Sequence, residues 1–470
     1  MLFTSFEFVV LVIITLILYY LPPLRRWQVP VLILASLVFY AANQADLLWL
    51  LLLSVSINIV SSYFVIYGRS DRRHFHAVWG VVANLSILCF FKYGPLLSRT
   101  FLPADSSLAE TLIALPLPIG ISFFTFQGIS LVVDTYRNRD VPQFRSMIAR
   151  NLAKHAQTVF FFKAFFPQLV AGPIVKAYFF LPQIKPKFWQ DIQWDKCFRA
   201  LVVGYFLKMV IADNLKDHTA LITYPYFEAY SSLTLLGLLF GYSMQIFADF
   251  AGYSLIALGL AGLFGYDFPI NFNFPYVSVS FSDFWRRWHI SLSSFLREYL
   301  YIPLGGNRHG AFRTYLNLML TMVLGGLWHG AAWSYAIWGF AHGLALAVER
   351  FIDNLFPTKP TRVSEFIRGI IVFAYVTVLW LLFKLPDFSH VIAYCRALVN
   401  NIDKPNDGRV LSLIAVYALA VILYHVNYLL GERRSKTEKH PAWEFAAYAI
   451  MIFLVITNSG SGGAFIYFQF

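Results

Sequence analysis

Charge is what this chain of 470 residues has least of: 13% of them are Asp, Glu, Lys or Arg, where a soluble domain carries about a quarter. Hydrophobic residues make up 58% and the mean hydropathy is +0.60. That balance excludes an ordinary soluble globular protein. Cysteine is nearly absent too. Cys89, Cys197 and Cys395 share no metal or redox spacing, so a disulfide framework and a cysteine metal site are excluded. Cys89 and Cys395 lie in apolar runs and read as small buried hydrophobes. Also missing are a Walker loop, a nucleophile elbow, a zinc-binding pattern, low-complexity tracts and a transporter-type inverted repeat. No metal and no permanently bound cofactor is expected. The first apolar segment, Phe6 to Leu21, has Glu7 at its head, no basic leader and no small-residue cleavage site, so it reads as a retained span.

What is abundant is apolar sequence in runs of roughly 20 residues, each long enough to cross about 30 Å of hydrocarbon. The class is all-α, a polytopic transmembrane bundle. The first five spans fall near 4–21, 29–43, 46–67, 77–97 and 113–133. Basic residues alternate between the connecting loops: Arg25 and Arg26, then Arg69, Arg72 and Arg73, then Arg137, Arg139, Arg145, Arg150 and Lys154. The turns between them hold almost none. This alternation predicts an external N-terminus and cytoplasmic basic loops. It also accounts for the net charge of +12, so nucleic acid is not an expected partner. Aromatic residues reach 18%, with 47 Phe and 27 Tyr. They suit interfacial belts and a densely packed interior.

The chain reads as a single membrane-embedded domain in three stretches: N-terminal spans over 1–133, a core over 134–350, and C-terminal spans over 351–470. Pro116, Pro118 and Gly120 before the core, and Pro167, Gly172 and Pro173 within it, interrupt apolar sequence. Broken helices at membrane depth are tolerated only inside protein or along a cavity. Short, tilted or re-entrant helices around a central cavity are therefore expected from 155 to 350. Conventional spans resume near 365–384, 410–430 and 443–457, for a total of about eleven by run length. The loop with Arg433, Arg434, Lys436 and Lys439 is basic again, which returns the tail from Gly460 to Phe470 to the outer face.

Ionisable side chains inside such sequence mark functional sites. His329 lies in Gly325-Gly326-Leu327-Trp328-His329-Gly330. A neutral imidazole in an apolar cavity can take a proton from a hydroxyl or thiol; a structural histidine bridging two helices is an equal alternative. His289 closes Phe284-Trp285-Arg286-Arg287-Trp288-His289. Ser282 and Asp283 are N-cap candidates for a helix there, with Arg286 one turn before His289 and Ser293 one turn after. Arg286 and Arg287 could neutralise phosphates, or the segment could be an interfacial anchor. His342, thirteen residues after His329, falls on another face of a continuous helix and reads as a packing residue. The loop from Leu304 to Gly310, with Asn307 and Arg308, could cradle a phosphate or be a plain turn. Asp249, a carboxylate in an apolar run, calls for a buried partner such as an Arg or a Tyr hydroxyl, with a catalytic role an equal alternative; Asp213 sits near a span end. His74, His76, His155 and His218 read as loop or interface residues.

Taken together these segments resemble the membrane-bound O-acyltransferases, in the bacterial polysaccharide branch that includes the alginate O-acetylases. The resemblance runs through Leu117 to Phe124, Phe166 to Pro173, Asp249 to Ser254 and Asn271-Phe272-Asn273. It continues through Phe284 to Ser293, Arg297 to Arg308, and Gly325 to Gly330. It implies acyl transfer across the membrane, within a ring of helices around a tunnel. It maps the family's Leu-Trp-His-Gly histidine onto His329 and its Arg-Trp-His histidine onto His289. It further implies acetyl-CoA as donor and a periplasmic SGNH-type acceptor protein that passes the acetyl group to an exported polysaccharide. Trp328, Arg286, Arg287, Asn307, Arg308 and Asp249 are candidate substrate-binding residues. Leu255 stands where the alginate enzymes carry Asp after Gly-Tyr-Ser, and the tail is shorter; this widens the expected polymer to cellulose, peptidoglycan or another. Rival readings are D-alanyl transfer from a carrier protein, a proton-coupled transporter and a scaffold for a secretion complex.

Overall fold

The computed structural model describes residues 1–103, 105–169, 172–356, 361–431 and 442–463. The basic loop with Arg433 to Lys439 and the end of the tail lie outside the described residues. Every regular element among those described is helical, as hydrocarbon demands, because a helix satisfies its own backbone polar groups. Among the described residues, five helical stretches are long and apolar enough to cross a bilayer: Pro22–Tyr67, Ser70–Phe101, Ser232–Leu263, Arg362–Lys384 and Gly408–Gly431. Phe6–Tyr20 and Trp443–Thr457 are shorter apolar helices. This is a multi-pass membrane protein. The helix expected over 113–133 begins only at Ile121 and ends at Arg137. Pro116 and Pro118 cannot donate to a helix, and Gly120 turns with φ 75°, a left-handed conformation that favours glycine.

The chain forms two compact units. The first comprises 1–201 and 256–269. In it Leu48–Tyr67, Arg73–Leu88, Ile121–Arg137 and Leu152–Ala164 pack together. Polar side chains tie them across apolar surfaces, the usual glue between membrane helices. Asn58 Nδ2 donates to Asn84 Oδ1 at 3.0 Å. Lys163, fully buried, donates to Ser54 Oγ at 2.6 Å. His155 Nε2 and Ser62 Oγ lie 2.9 Å apart, an interface role as expected. Cys89 and Cys395 are exposed on their helices, against the expectation of small buried hydrophobes, and Cys197 is buried. An apolar run specifies contact with lipid as readily as contact with the core, and Cys197 packs in a cluster with Ile192 and Leu263.

The second unit comprises 202–255 and 270–470. Short helices do occur in it, at Phe281–Arg287 and Ile290–Leu296. The helix Ser232–Leu263, of which 232–255 belong to this unit, in contrast runs unbroken for 32 residues, against the expectation of short pieces throughout the core. Its glycines are contact points, not breaks. A Cβ on Gly252 would sit 2.9 Å from Gly204 O, so glycine here lets two backbones approach. Gly310–His329 and Trp333–Leu355 cross in the same way. A Cβ on Gly326 would meet Tyr335 O at 2.2 Å, and one on Gly339 would meet Met322 O at 2.2 Å. That crossing sets where the residues after His329 lie.

Candidate active site

The Phe281–Arg287 helix starts at least two residues earlier than the sequence suggests. Ser280, not Ser282 or Asp283, is its cap, and its Oγ accepts from Asp283 N at 2.9 Å. The Glu349 carboxylate accepts from Phe281 N and Ser282 N at 2.5 and 3.0 Å, which suits the positive end of a helix. The helix ends at Arg287. Trp288 is extended and His289 is left-handed at φ 43° before Ile290–Leu296 begins. Arg286, His289 and Ser293 therefore do not share one helical face, a correction to the continuous helix expected. A non-glycine residue in this conformation costs of the order of 1–3 kcal/mol and persists only where its surroundings impose it.

Asn271 imposes it. Its backbone O accepts from Ile290 N at 2.9 Å. Its Oδ1 accepts from Ser291 Oγ at 2.6 Å and Ser291 N at 3.3 Å. Its Nδ2 donates to Ser254 Oγ at 3.1 Å. The turn is clamped from the side chain and the main chain of one residue.

The clamp fixes the His289 ring, which is fully buried and meets the Phe250 ring edge-on at 4.6 Å. Its centroid is 6.2 Å from that of His329. His329 is the last residue of the Gly310–His329 helix and is 3% exposed. Trp328, Trp338 and Phe383 surround it at 5.1, 5.2 and 5.1 Å. Trp328 also lies 5.9 Å from His289. Two imidazoles thus share one aromatic-walled spot, close enough for both to address a small reacting group held between hydrogen-bonding partners of about 3 Å reach.

The other candidates lie elsewhere. Arg287 donates to Asp283 Oδ2 at 2.9 Å, and its Nη1 reaches Asn273 O and Tyr428 Oη at 3.3 Å each. It is tied into the protein, against its expected role on a phosphate. Arg286 is 71% exposed, 3.9 Å from Asp283. Asn307 and Arg308 are exposed in the glycine-rich turn, which Asn317 Nδ2 fastens by donating to Leu304 O and Gly306 O. Asp249 is buried and 2.7 Å from Lys208 Nζ, which also meets Asp213 at 2.7 Å. A lysine, not the Arg or Tyr hydroxyl expected, unites the two carboxylates. Sequence reasoning missed Lys208 and the clamp role of Asn271. A lone lysine in the apolar run 206–212 was the available signal for the first.

Comparison with known proteins identifies the family. The family model for MBOAT, the membrane-bound O-acyltransferase family, matches residues 121–386. The peptidoglycan O-acetyltransferase of Helicobacter pylori is 37% identical over 390 residues, covering 78% of this chain and 73% of that protein. The probable alginate O-acetylase of Pseudomonas aeruginosa is 38% identical over 385 residues, covering 79% and 69%. The teichoic acid D-alanyltransferase of Bacillus subtilis is 27% identical over 308 residues, covering 63% and 73%. The chain belongs to the membrane-bound O-acyltransferase family, and it is an O-acyltransferase.

Proposed function

We propose that this enzyme takes an acetyl group from cytoplasmic acetyl-CoA and delivers it across the bacterial inner membrane for O-acetylation of an exported polysaccharide. His329 acts as general base on the acceptor hydroxyl, whose oxygen attacks the thioester carbonyl. The proton leaves with the thiol of CoA. His289 orients the acceptor or the carbonyl from the other side of the spot. A periplasmic SGNH-type protein receives the acetyl group and hands it to the polymer. About eleven spans around a tunnel, with a periplasmic N-terminus, belong to the same reading.

The observation that carries it is the 6.2 Å approach of two buried imidazoles, one from the turn before Ile290–Leu296 and one from the end of the Gly310–His329 helix. Buried ionisable groups at membrane depth are costly and are kept for function. The O-acetylating relatives support the acyl group and the class of polymer. The D-alanyltransferase relative supports a second reading, in which a carrier-protein thioester replaces acetyl-CoA. The test is purified protein with radiolabelled acetyl-CoA, wild type against His329→Ala, with and without a candidate periplasmic partner. CoA release that needs His329 and rises with the partner is the expected result. No release from folded wild type overturns the acetyl-CoA donor and turns the test to a carrier thioester.

A further inference from the structure

Ser334, Trp338 and His342 recur every fourth residue on the Trp333–Leu355 helix, so they form one stripe. All three are essentially fully buried. Ser334 Oγ, Trp338 Nε1 and both ring nitrogens of His342 have no hydrogen-bond partner among the described residues. Trp285 Nε1, buried beside them, has none either. The Trp285 ring lies 5.1 Å from His342 and 5.7 Å from Trp338. His342 touches Trp338 at 4.5 Å, and Trp338 touches His329 at 5.2 Å. The stripe therefore reaches the candidate active site through one shared indole.

Packing alone does not account for a histidine here. Each unpartnered buried polar atom costs about 1–3 kcal/mol; phenylalanine would fill the same space between Phe284, Trp285 and Trp338 without that cost. The Tyr375 ring lies 6.3 Å from His342, and its Oη donates to Ala341 O at 2.8 Å. Glu349, on the helix of His342 itself, accepts from Phe281 N and Ser282 N. The polar groups are two indole donors, a hydroxyl and an imidazole that donates with one nitrogen and accepts with the other. They offer hydrogen bonds without a carboxylate, an ammonium or a guanidinium, so the group they fit is polar and uncharged.

We propose that Ser334, Trp338, His342 and Trp285 form a second polar subsite, which takes an uncharged hydroxyl or amide group of a substrate and sets it beside His329 through Trp338. The inference rests on the acyl-transfer reading. The group has two sources: a sugar hydroxyl of the acceptor, or an amide in the arm that carries the donor thioester.

The test measures binding to full-length protein in detergent of three probes: acetyl-pantetheine, an alginate oligosaccharide and a soluble peptidoglycan fragment. His342→Phe keeps the ring and removes the nitrogens. It should weaken one probe roughly three- to tenfold, the amount one neutral hydrogen bond supplies, while the melting temperature holds or rises. His342→Gln, which restores a donor and an acceptor, should recover most of the loss. Weakened acetyl-pantetheine assigns the subsite to the donor arm; a weakened saccharide assigns it to the acceptor. Trp285→Phe should weaken the same probe and stands in if His342→Phe does not fold. Unchanged affinity for every probe overturns the subsite, as does wild type that binds none of them. CoA release by wild type, followed in parallel, separates the two readings. Release with no His342 effect removes only the subsite, whereas silence from folded protein with both acetyl-CoA and a carrier thioester removes the acyl-transfer reading and the subsite with it.

Discussion

Asn271 Oδ1 accepts hydrogen bonds from both the hydroxyl and the backbone N–H of Ser291, at 2.6 and 3.3 Å. Through this pair the chain holds His289 in a left-handed turn. Removing the carboxamide frees the turn to relax to an ordinary backbone conformation and carries the imidazole away from His329. Asn271→Ala should therefore reduce acyl transfer by roughly ten- to a hundredfold, since an error of about 1 Å in a reacting group is worth that much. The folded protein should survive, with a melting temperature lowered by a few degrees. Activity near wild type with a lowered melting temperature would leave Asn271 a purely structural residue.

The two histidines should act as a unit. His329→Ala should lower the transfer rate by about a hundredfold or more, the contribution of a positioned general base. His289→Gln, which keeps a hydrogen-bonding group, should cost less. Because both serve one spot, the double variant should be barely slower than His329→Ala alone. Initial rates of CoA release decide this; losses that multiply in the double variant would separate the two roles.

Much of this was legible in the sequence, for reasons that differ by residue. His289 and His329 stood out because charge is so scarce around them, and the order of their motifs carried the family. Several spans were readable because a run such as Gly408–Gly431 states its length directly. His342, read as a packing residue, is indeed buried among the rings of Phe284, Trp285 and Trp338, but the argument for that reading had a wrong premise. The angular argument assumed one continuous helix, but the helix ends at His329 and a new one starts at Trp333. Gly326 and Gly339 then fold the second helix back against the first. Lys208 was missed because its partners, Asp213 and Asp249, come from the next helical segment and from a separate helix. Periodicity along one segment does not report such pairing.

The glycine crossing gives a prediction about packing. Gly326→Ala would place a methyl group 2.2 Å from Tyr335 O and 3.0 Å from Gly339 Cα. Both are backbone atoms, so the helices must separate. A cost of about 1–3 kcal/mol is expected for such overpacking, read as a lowered melting temperature in detergent. Trp338 moves with its helix, so activity should fall together with stability. A variant as stable and active as wild type would show that the crossing is looser than its geometry.

Lys208 meets two carboxylates with all three side chains below 5% exposure. Lys208→Met leaves Asp213 and Asp249 facing each other without the cation. Breaking a buried ion pair from one side costs about 3–5 kcal/mol, enough to abolish the folded protein in many membranes or detergents. Adding Asp249→Asn to Lys208→Met should recover part of the loss, because it removes one of the orphaned charges. Size-exclusion profiles and thermal unfolding of the two variants check the order. Equal damage from both would mean that Asp249 does not depend on Lys208.

Arg286 and Arg287 are neighbours in sequence with opposite surroundings, and this separates binding from architecture. Arg287 is held by Asp283, Asn273 and Tyr428, so Arg287→Ala should lower the melting temperature. Its effect on activity should follow that loss. Arg286 is 71% exposed, so its guanidinium can approach an anion arriving from water. If it meets the phosphates of the donor, Arg286→Ala should raise the KM for acetyl-CoA severalfold, leave kcat and the melting temperature unchanged, and weaken the salt dependence of KM. Charge–charge attraction at an exposed site is screened by salt, so the contrast with wild type should be largest at low ionic strength. An Arg286→Ala enzyme with the wild-type KM at both low and high salt would place the donor's phosphates elsewhere on the protein, with the exposed Arg308 the next residue to replace.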